Sequence, residues 1–552
     1  MIHIMKRYII LAFIAAISGT VANAQNESLP SRSMTIEGAY NPSVTEAGKI
    51  MPLPEKTRTA RQPASVTYLT SPNPVSNLER SPMEVFGIIS DGITPRRVTG
   101  LLRLGYGLRN LHEGMFDLGW NISEIDYLKL SGSMDGWNSK PDGDWKSLMF
   151  NSKVAAQYGH RFNDRVSVGL STDFGYSRFN YMPGSFMKPA VLDASNLYQN
   201  TKEGSLSVIL NTVSRIGVAC YLEGGGEWLI RDGLDLNGTV RNNKESIVRI
   251  SAGLDKPLDR GAFVLGYRQK TAIYQWSGLN GCKYSNFTAL TISPSWKYEN
   301  GYLRTSLGLN LDLRTNAGNV FLASPAVTLE YDISRKFGFQ VGAVGGIEEY
   351  DMRRLALISP YWSEQERITD GYNLVNLYGG FSFSQGSWFS MSAKAGYRYT
   401  IDEVFQTKAD SLIVTSVLKQ QNASVLYARL DADMQFTDRV QLRMDVTYSD
   451  YLGSYPGHKM DLKPAFDANL FGRVNLFKGF DAMLSYRMMA FHRVGGSSMP
   501  MVNDLSLTAD YDLTRWLSLY ATLKQVAGGD FYYYAGYRSL KPAFMLGATF
   551  RL

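Results

Sequence analysis

The sequence predicts an all-β fold, a transmembrane antiparallel up-and-down β-barrel of about 22 strands, within bounds of 16 to 22. Three observations predict it. The chain opens with an export leader, apolar and polar residues alternate through most of its length, and short turns alternate with long loops.

The leader comes first. In "MKRYIILAFIAAISGTVANA" two cations, Lys6 and Arg7, precede an apolar run from Tyr8 to about Ile17, and Ala22-Asn23-Ala24 supplies small residues before Gln25. This predicts a signal peptide over 1–24, cut between Ala24 and Gln25, because the run is too short to span a bilayer. No cysteine follows the cut, which excludes a lipoprotein signal. No later stretch approaches the roughly 18 to 20 apolar residues of a spanning helix, so the remaining options are a soluble exported chain or one that crosses a membrane as strands.

Residues 25–96 form a Pro-rich and polar N-terminal segment without sustained periodicity, expected in the periplasm or the lumen. Within it Ser33 to Ala39, "SMTIEGA", reads as extended linker rather than as a strand that adds to a partner's sheet edge.

From 97 to 552 the alternation takes over. In "RFNDRVSVGLSTDFGYS" Val166, Val168, Leu170, Thr172, Phe174 and Tyr176 share one face, and Arg165, Ser167, Gly169, Ser171, Asp173 and Gly175 the other. The pattern recurs at Leu303–Arg314, Phe389–Thr400, Leu442–Tyr448 and Phe480–Met488. Strands of about 10 to 13 residues, tilted by ~45°, reach the ~25 to 30 Å of a hydrocarbon core, whereas globular strands average about 5 or 6 residues. The apolar face then meets lipid and the polar face lines a lumen. Aromatics such as Phe162, Tyr176 and "FYYY" at 531–534 are expected as interfacial girdles.

Five short links share a turn chemistry of Asn, Asp, Ser or Thr with Arg: 161–166, 212–217, 331–337, 435–440 and 511–516. The links between them are longer and richer in Pro and Gly: 138–146, 178–203, 229–245, 351–372, 401–420, 452–465 and 492–501. This is the two-sided asymmetry of an outer-membrane barrel, with the short turns in the periplasm. Strand assignment is weakest over 203–256. The last strand, "FMLGATFRL", resembles the C-terminal signature read by the barrel assembly machinery, with Leu552 where Phe is usual.

Composition agrees. There are 51 Gly, 33 Tyr and 26 Phe among 552 residues, and mean hydropathy is slightly negative, as for a barrel with a polar interior. Two cysteines, Cys220 and Cys282, exclude a disulfide framework and leave a single bridge open. The net charge of +7 includes Lys6 and Arg7, leaving +5 (7 − 2) on the mature chain. The basic residues are scattered, which argues against nucleic acid as a partner.

Candidate lumen-facing residues are Arg304, Arg314, Lys394, Arg398, Arg443, Asp445 and Arg487, with Arg268, Lys270, Arg429, Asp431 and Asp433 on the same faces. Guanidiniums clustered there can bind carboxylates, phosphates or sugars, or satisfy one another's neighbours as Arg–Asp networks. Catalytic signals are thin. His112, His160, His458 and His492 are isolated, with no metal-binding spacing, and no GxSxG elbow occurs. "EGGGEW" (Glu223 to Trp228) lacks the Lys-Ser/Thr of a phosphate loop and falls inside a strand. No enzyme, cofactor or metal is therefore expected; His160 and His492 are the rim positions where a membrane hydrolase would place a base.

The stretch "TIEGAYNPSVTEAGKIMPLPEK" (Thr35 to Lys56), through Tyr40-Asn41-Pro42, Ala47, Lys49-Ile50 and Pro52, resembles the mature N-terminus of Bacteroidota outer-membrane barrels related to TonB-dependent receptors. Val66-Thr67-Tyr68, "GLLRLGYG" (Gly100 to Gly107) and "SGSMDGW" (Ser131 to Trp137) extend the resemblance over about the first 140 residues. It implies transport or capture of a solute across the outer membrane of a Gram-negative bacterium. The implied partners are outer-membrane lipid and lipopolysaccharide, the barrel assembly machinery, and TonB or a surface lipoprotein. About seventy residues precede the barrel, fewer than a full receptor plug needs, so the expectation is a plug-less barrel or one with a much reduced plug. The alternative function is a structural or assembly barrel that partners an envelope or secretion complex.

Overall fold

The computed structural model describes residues 98–551, apart from 140–146, 181–197, 235–239, 276–285, 316–319, 363–367, 387, 409–415, 438, 453–459, 495–496 and 535–536. The expectations placed on 1–97, on His458 and on Cys282 lie outside the described residues.

Twenty-two strands form one antiparallel sheet, each paired with its neighbour in sequence. In order they are β1 (Val98–Gly107), β2 (His112–Asn121), β3 (Asp126–Ser139), β4 (Ser147–Asn163), β5 (Val166–Asn180), β6 (Tyr198–Val213), β7 (Ala219–Leu234) and β8 (Val240–Leu258). Next come β9 (Gly261–Gln275), β10 (Phe287–Asn300), β11 (Leu303–Arg314), β12 (Phe321–Ser334), β13 (Phe337–Glu348), β14 (Gly371–Gln385) and β15 (Phe389–Lys408). The last are β16 (Ser416–Thr437), β17 (Val440–Leu452), β18 (Phe466–Phe477), β19 (Phe480–Ala490), β20 (Val502–Asp512), β21 (Leu517–Lys524) and β22 (Ala543–Arg551). The sheet closes where β1 pairs with β22, Leu104 opposite Ala548, so every strand has two partners and no edge is left open.

Alternation sets the two faces. On β11 Leu307, Leu309 and Leu313 point outward and are exposed, while Asn310, Asp312 and Arg314 are buried inside. The outer face carries a belt of such exposed apolar residues from Leu102 to Phe550, which is what lipid requires and water does not tolerate.

All five expected turns join strands as proposed. Three of the expected long loops shrink, however. β5 runs to Asn180 and β6 starts at Tyr198, β7 and β8 leave only 235–239, and β15 and β16 leave only 409–415. The cause is physical. Above the lipid band the outward face meets water, so the apolar signal stops while backbone pairing continues, and β16 reaches 22 residues. Of the aromatics expected as girdles, Phe162 is exposed beside the short β4–β5 turn, and Tyr176 lies on β5. A cluster of Phe337, Phe339, Phe381, Phe383, Trp388 and Phe389 lies at the short-turn end. The "FYYY" segment instead sits in the link between β21 and β22, with Phe531 packed on Met489 and Val502 inside the rim.

Candidate functional site: a strap across the lumen

A 22-strand wall with strands ~4.8 Å apart and tilted by ~40° encloses a cylinder roughly 40 Å across. The wall's own side chains cannot fill that width. The described parts of the link between β13 and β14, residues 349–362 and 368–370, enter it.

Local geometry turns this link inward. Pairing between β13 and β14 slips at Val344/Gly346, and Gly346 adopts φ +142, a conformation open to glycine and strained for other residues. Such a bulge bends a strand and re-aims the chain beyond it. The link then forms a short helix, α1 (Met352–Ile358), whose N-cap Asp351 accepts from the Arg354 amide at 2.9 Å. Apolar residues of the link, Tyr350, Leu355, Trp362 and Ile368, pack with Val404 of β15 and Leu418 of β16.

Charged groups fix it to the wall. Arg353 lies with its Nε 2.8 Å from Glu203 of β6, and its two terminal nitrogens 3.8 Å from Asp173 of β5 and 3.7 Å from Glu227 of β7. Arg249 of β8 reaches Glu227 at 2.8 Å, Asp351 at 3.0 Å and, closely, Glu349. Lys270 of β9 reaches Asp370 at 3.2 Å and Glu349 at 3.6 Å. Arg231 of β7 donates to the carbonyls of Pro360 and Trp362 at 2.9 and 3.0 Å while lying over the Trp362 ring. At the far side Tyr361 stacks on Tyr537 at 3.6 Å between centroids, with Tyr534 and Phe179 edge-on. The link is thus a strap from β13–β14 to the β5 rim and the β21–β22 link.

Burial raises the Glu349 and Asp351 carboxyls, but the cations of Arg249 and Lys270 outweigh it and hold both below the usual carboxylate range. Burial raises the Tyr361 phenol. Glu349 and Asp351 are therefore charged near neutral pH.

The sequence-derived lumen residues divide into two groups. Wall pairs hold Arg304 to Glu330 and Asp332 at 3.0 and 3.3 Å, Arg429 to Asp431 at 2.9 Å, Arg443 to Asp433 at 3.0 Å and Arg487 to Asp467 at 2.9 Å. Lys394 approaches the Tyr378 ring at 5.5 Å, Asp445 sits opposite Asp431, and Arg268 opposite Thr291. The second group meets the loops. Arg314 donates to the Asp370 carbonyl at 2.9 Å, Lys270 joins the strap, and Arg398 shares Glu403 with Lys463. The strap partners Arg231, Arg249, Asp173, Glu203 and Glu227 were not among the candidates. One signal pointed at them: Glu223, Gly225 and Glu227 share the inner face, and Gly225 pairs with Arg249, which sets two carboxylates beside a cation.

His160 donates from Nδ1 to Asp126 at 2.7 Å, and the Ser123 hydroxyl donates to the same carboxylate at 2.7 Å. The carboxylate lies between serine and histidine, whereas a nucleophilic triad needs the histidine in the middle. His492 is buried, and burial lowers its pKa. Among the described residues no His/Cys/Asp/Glu group has metal-ligand geometry.

No protein-family model matches the chain, and no curated protein matches it. Solved structures do match in fold. The siderophore receptor PirA from Acinetobacter baumannii superposes with a TM-score of 0.65 at 11% identity, over 83% of this chain and 81% of that one. A mutant of the ferric enterobactin receptor PfeA from Pseudomonas aeruginosa gives 0.62 at 10% identity, over 83% and 80%. The copper transporter OprC gives 0.61 at 14% identity, over 82% and 80%. At these identities the likeness is one of fold: this chain is built as a 22-strand barrel similar to theirs.

Proposed function

We propose that the chain is an outer-membrane barrel of TonB-dependent-receptor-like type that captures or passes a solute, with the strap closing its long-loop end. The observation that carries this is a closed barrel, wide enough to pass solute, whose lumen is crossed by a charged loop held to the wall through Arg249, Lys270 and Arg353. The fold similarity to two siderophore receptors and a copper transporter supports the same class of work. On this proposal the leader is removed at Ala24/Gln25, residues 25–96 work at the periplasmic end or in the lumen, and Arg304, Arg314, Lys394, Arg398, Arg443, Asp445 and Arg487 line the path. Outer-membrane lipid and lipopolysaccharide surround the belt, the barrel assembly machinery inserts it, and TonB or a surface lipoprotein supplies coupling or delivery.

The test is conductance in planar bilayers for the mature chain, for a chain lacking residues 25–95, and for Arg353→Gln in each. Conductance that rises when the segment or the strap anchor is removed supports a gated path. A barrel that stays closed in all four forms sinks the uptake proposal.

A further inference from the structure

The wall does not need the strap. Its ladder is complete without it, each strand pairing with its two neighbours and β13 and β14 ending at the Glu348–Gly371 pair. Beside the apolar packing on Val404 and Leu418, side chains of the wall and of the β21–β22 link hold the described strap residues in three ways. Some read main chain: Arg231 takes two carbonyls, Arg314 takes the Asp370 carbonyl, Glu245 accepts the Met352 amide at 3.0 Å, and Gln420 bonds both the amide and the carbonyl of Thr369 at 2.9 and 2.6 Å. Every peptide carries these groups. Others read charge of both signs, with Arg249 and Lys270 on the strap's carboxylates and a carboxylate from each of three neighbouring strands around Arg353. The third is an aromatic slot, which takes Tyr361.

The fit around Arg353 is also loose. Only the Glu203 contact has hydrogen-bond length, and the other two, at 3.7 and 3.8 Å, exceed it. Another cation could bond the same carboxylates better.

We infer that this inner wall is a binding surface for an oligopeptide carrying a carboxylate, an amine or guanidinium and an aromatic side chain, and that the strap occupies it as an internal pseudo-ligand. The inference rests on the uptake proposal for its purpose, and it names the substrate class. A tethered occupant competes at an effective concentration of about millimolar, so an outside peptide binds weakly until the strap is loosened. By linkage, whatever weakens the strap must tighten the peptide.

The experiment measures fluorescence anisotropy on the full mature chain in detergent. The probe is a labelled 14-residue peptide that keeps the residues of positions 349, 351, 353, 361 and 362 on an alanine background. The strap variant is Arg353→Gln with Tyr361→Ala, and a heat-modifiable gel shift checks closure; Tyr361→Ala alone serves if the pair fails to fold. The strap variant should bind the probe at least ~10-fold tighter than the unaltered chain, and adding Glu203→Gln should cancel the gain. Equal binding by both chains, equal binding of a scrambled probe, or displacement by maltohexaose at the same concentration overturns the inference. Peptide binding is read without flux, so a barrel that binds the probe yet never conducts sinks the uptake proposal alone.

Discussion

Arg353 concentrates the physics of the strap in one side chain. It is nine-tenths buried, and removing one member of a buried charge cluster leaves the others uncompensated, at a cost of about 3 to 5 kcal/mol. Arg353→Gln should therefore loosen the strap while the barrel stays closed. Arg354, its neighbour, is a tryptic site inside the lumen, so the rate of cleavage after Arg354 in proteoliposomes reads the effect; an unchanged rate would show that Arg353 does not hold the strap. Acid acts at the same place. Glu349 and Asp351 have folded pKa values depressed below their ordinary 4.5 and 3.8, so the stability they contribute is present above those values and is lost as pH falls through the depressed ones. Protection of Arg354 should hold from pH 8 to pH 5 and fail only in stronger acid, as a pH series with an acid-tolerant protease would show. Loss of protection near pH 7 would contradict this assignment of charge.

Elements differ in how legible they were. Strands inside the lipid band announce themselves because lipid on one side and water on the other force period-two alternation, as on β11. There Leu309→Arg, at mid-strand on the lipid face, should destabilise the barrel by about 2 to 4 kcal/mol, measurable by chemical denaturation in vesicles. A cost near zero would place Leu309 off the lipid face. The ends of β5, β7 and β15 were invisible because water replaces lipid on their outer face while the inner face buries Phe179, Arg231 and Val404 against the strap, so no apolar-outward alternation marks them. The strap was legible as a long loop and nothing more. Its inward course depends on a bulge at Gly346 and on partners such as Arg231 and Glu203, which lie far from the strap in sequence, and no local pattern encodes such meetings. Gly346→Val should strain that bulge, because φ +142 excludes a β-branched side chain. Faster cleavage after Arg354 is the expected result, and unaltered protection would remove the bulge from the account.

At the scale of the whole molecule, the strand count and the closed antiparallel order were readable from turn chemistry and from the parity that returns both termini to one side. What fills the lumen was not, since that is decided by contacts among distant wall positions. Tyr361 touches Phe179, on the fifth strand, and Tyr537, just before the last. That contact has a kinetic meaning. These neighbours of the tyrosine come from the fifth strand and from the link before the last, and they stand together only after β22 has met β1. The strap is therefore the last part able to settle during assembly, and its docking marks the moment of closure. A pulse of protease during insertion would see strap protection appear after the heat-resistant barrel, never before it.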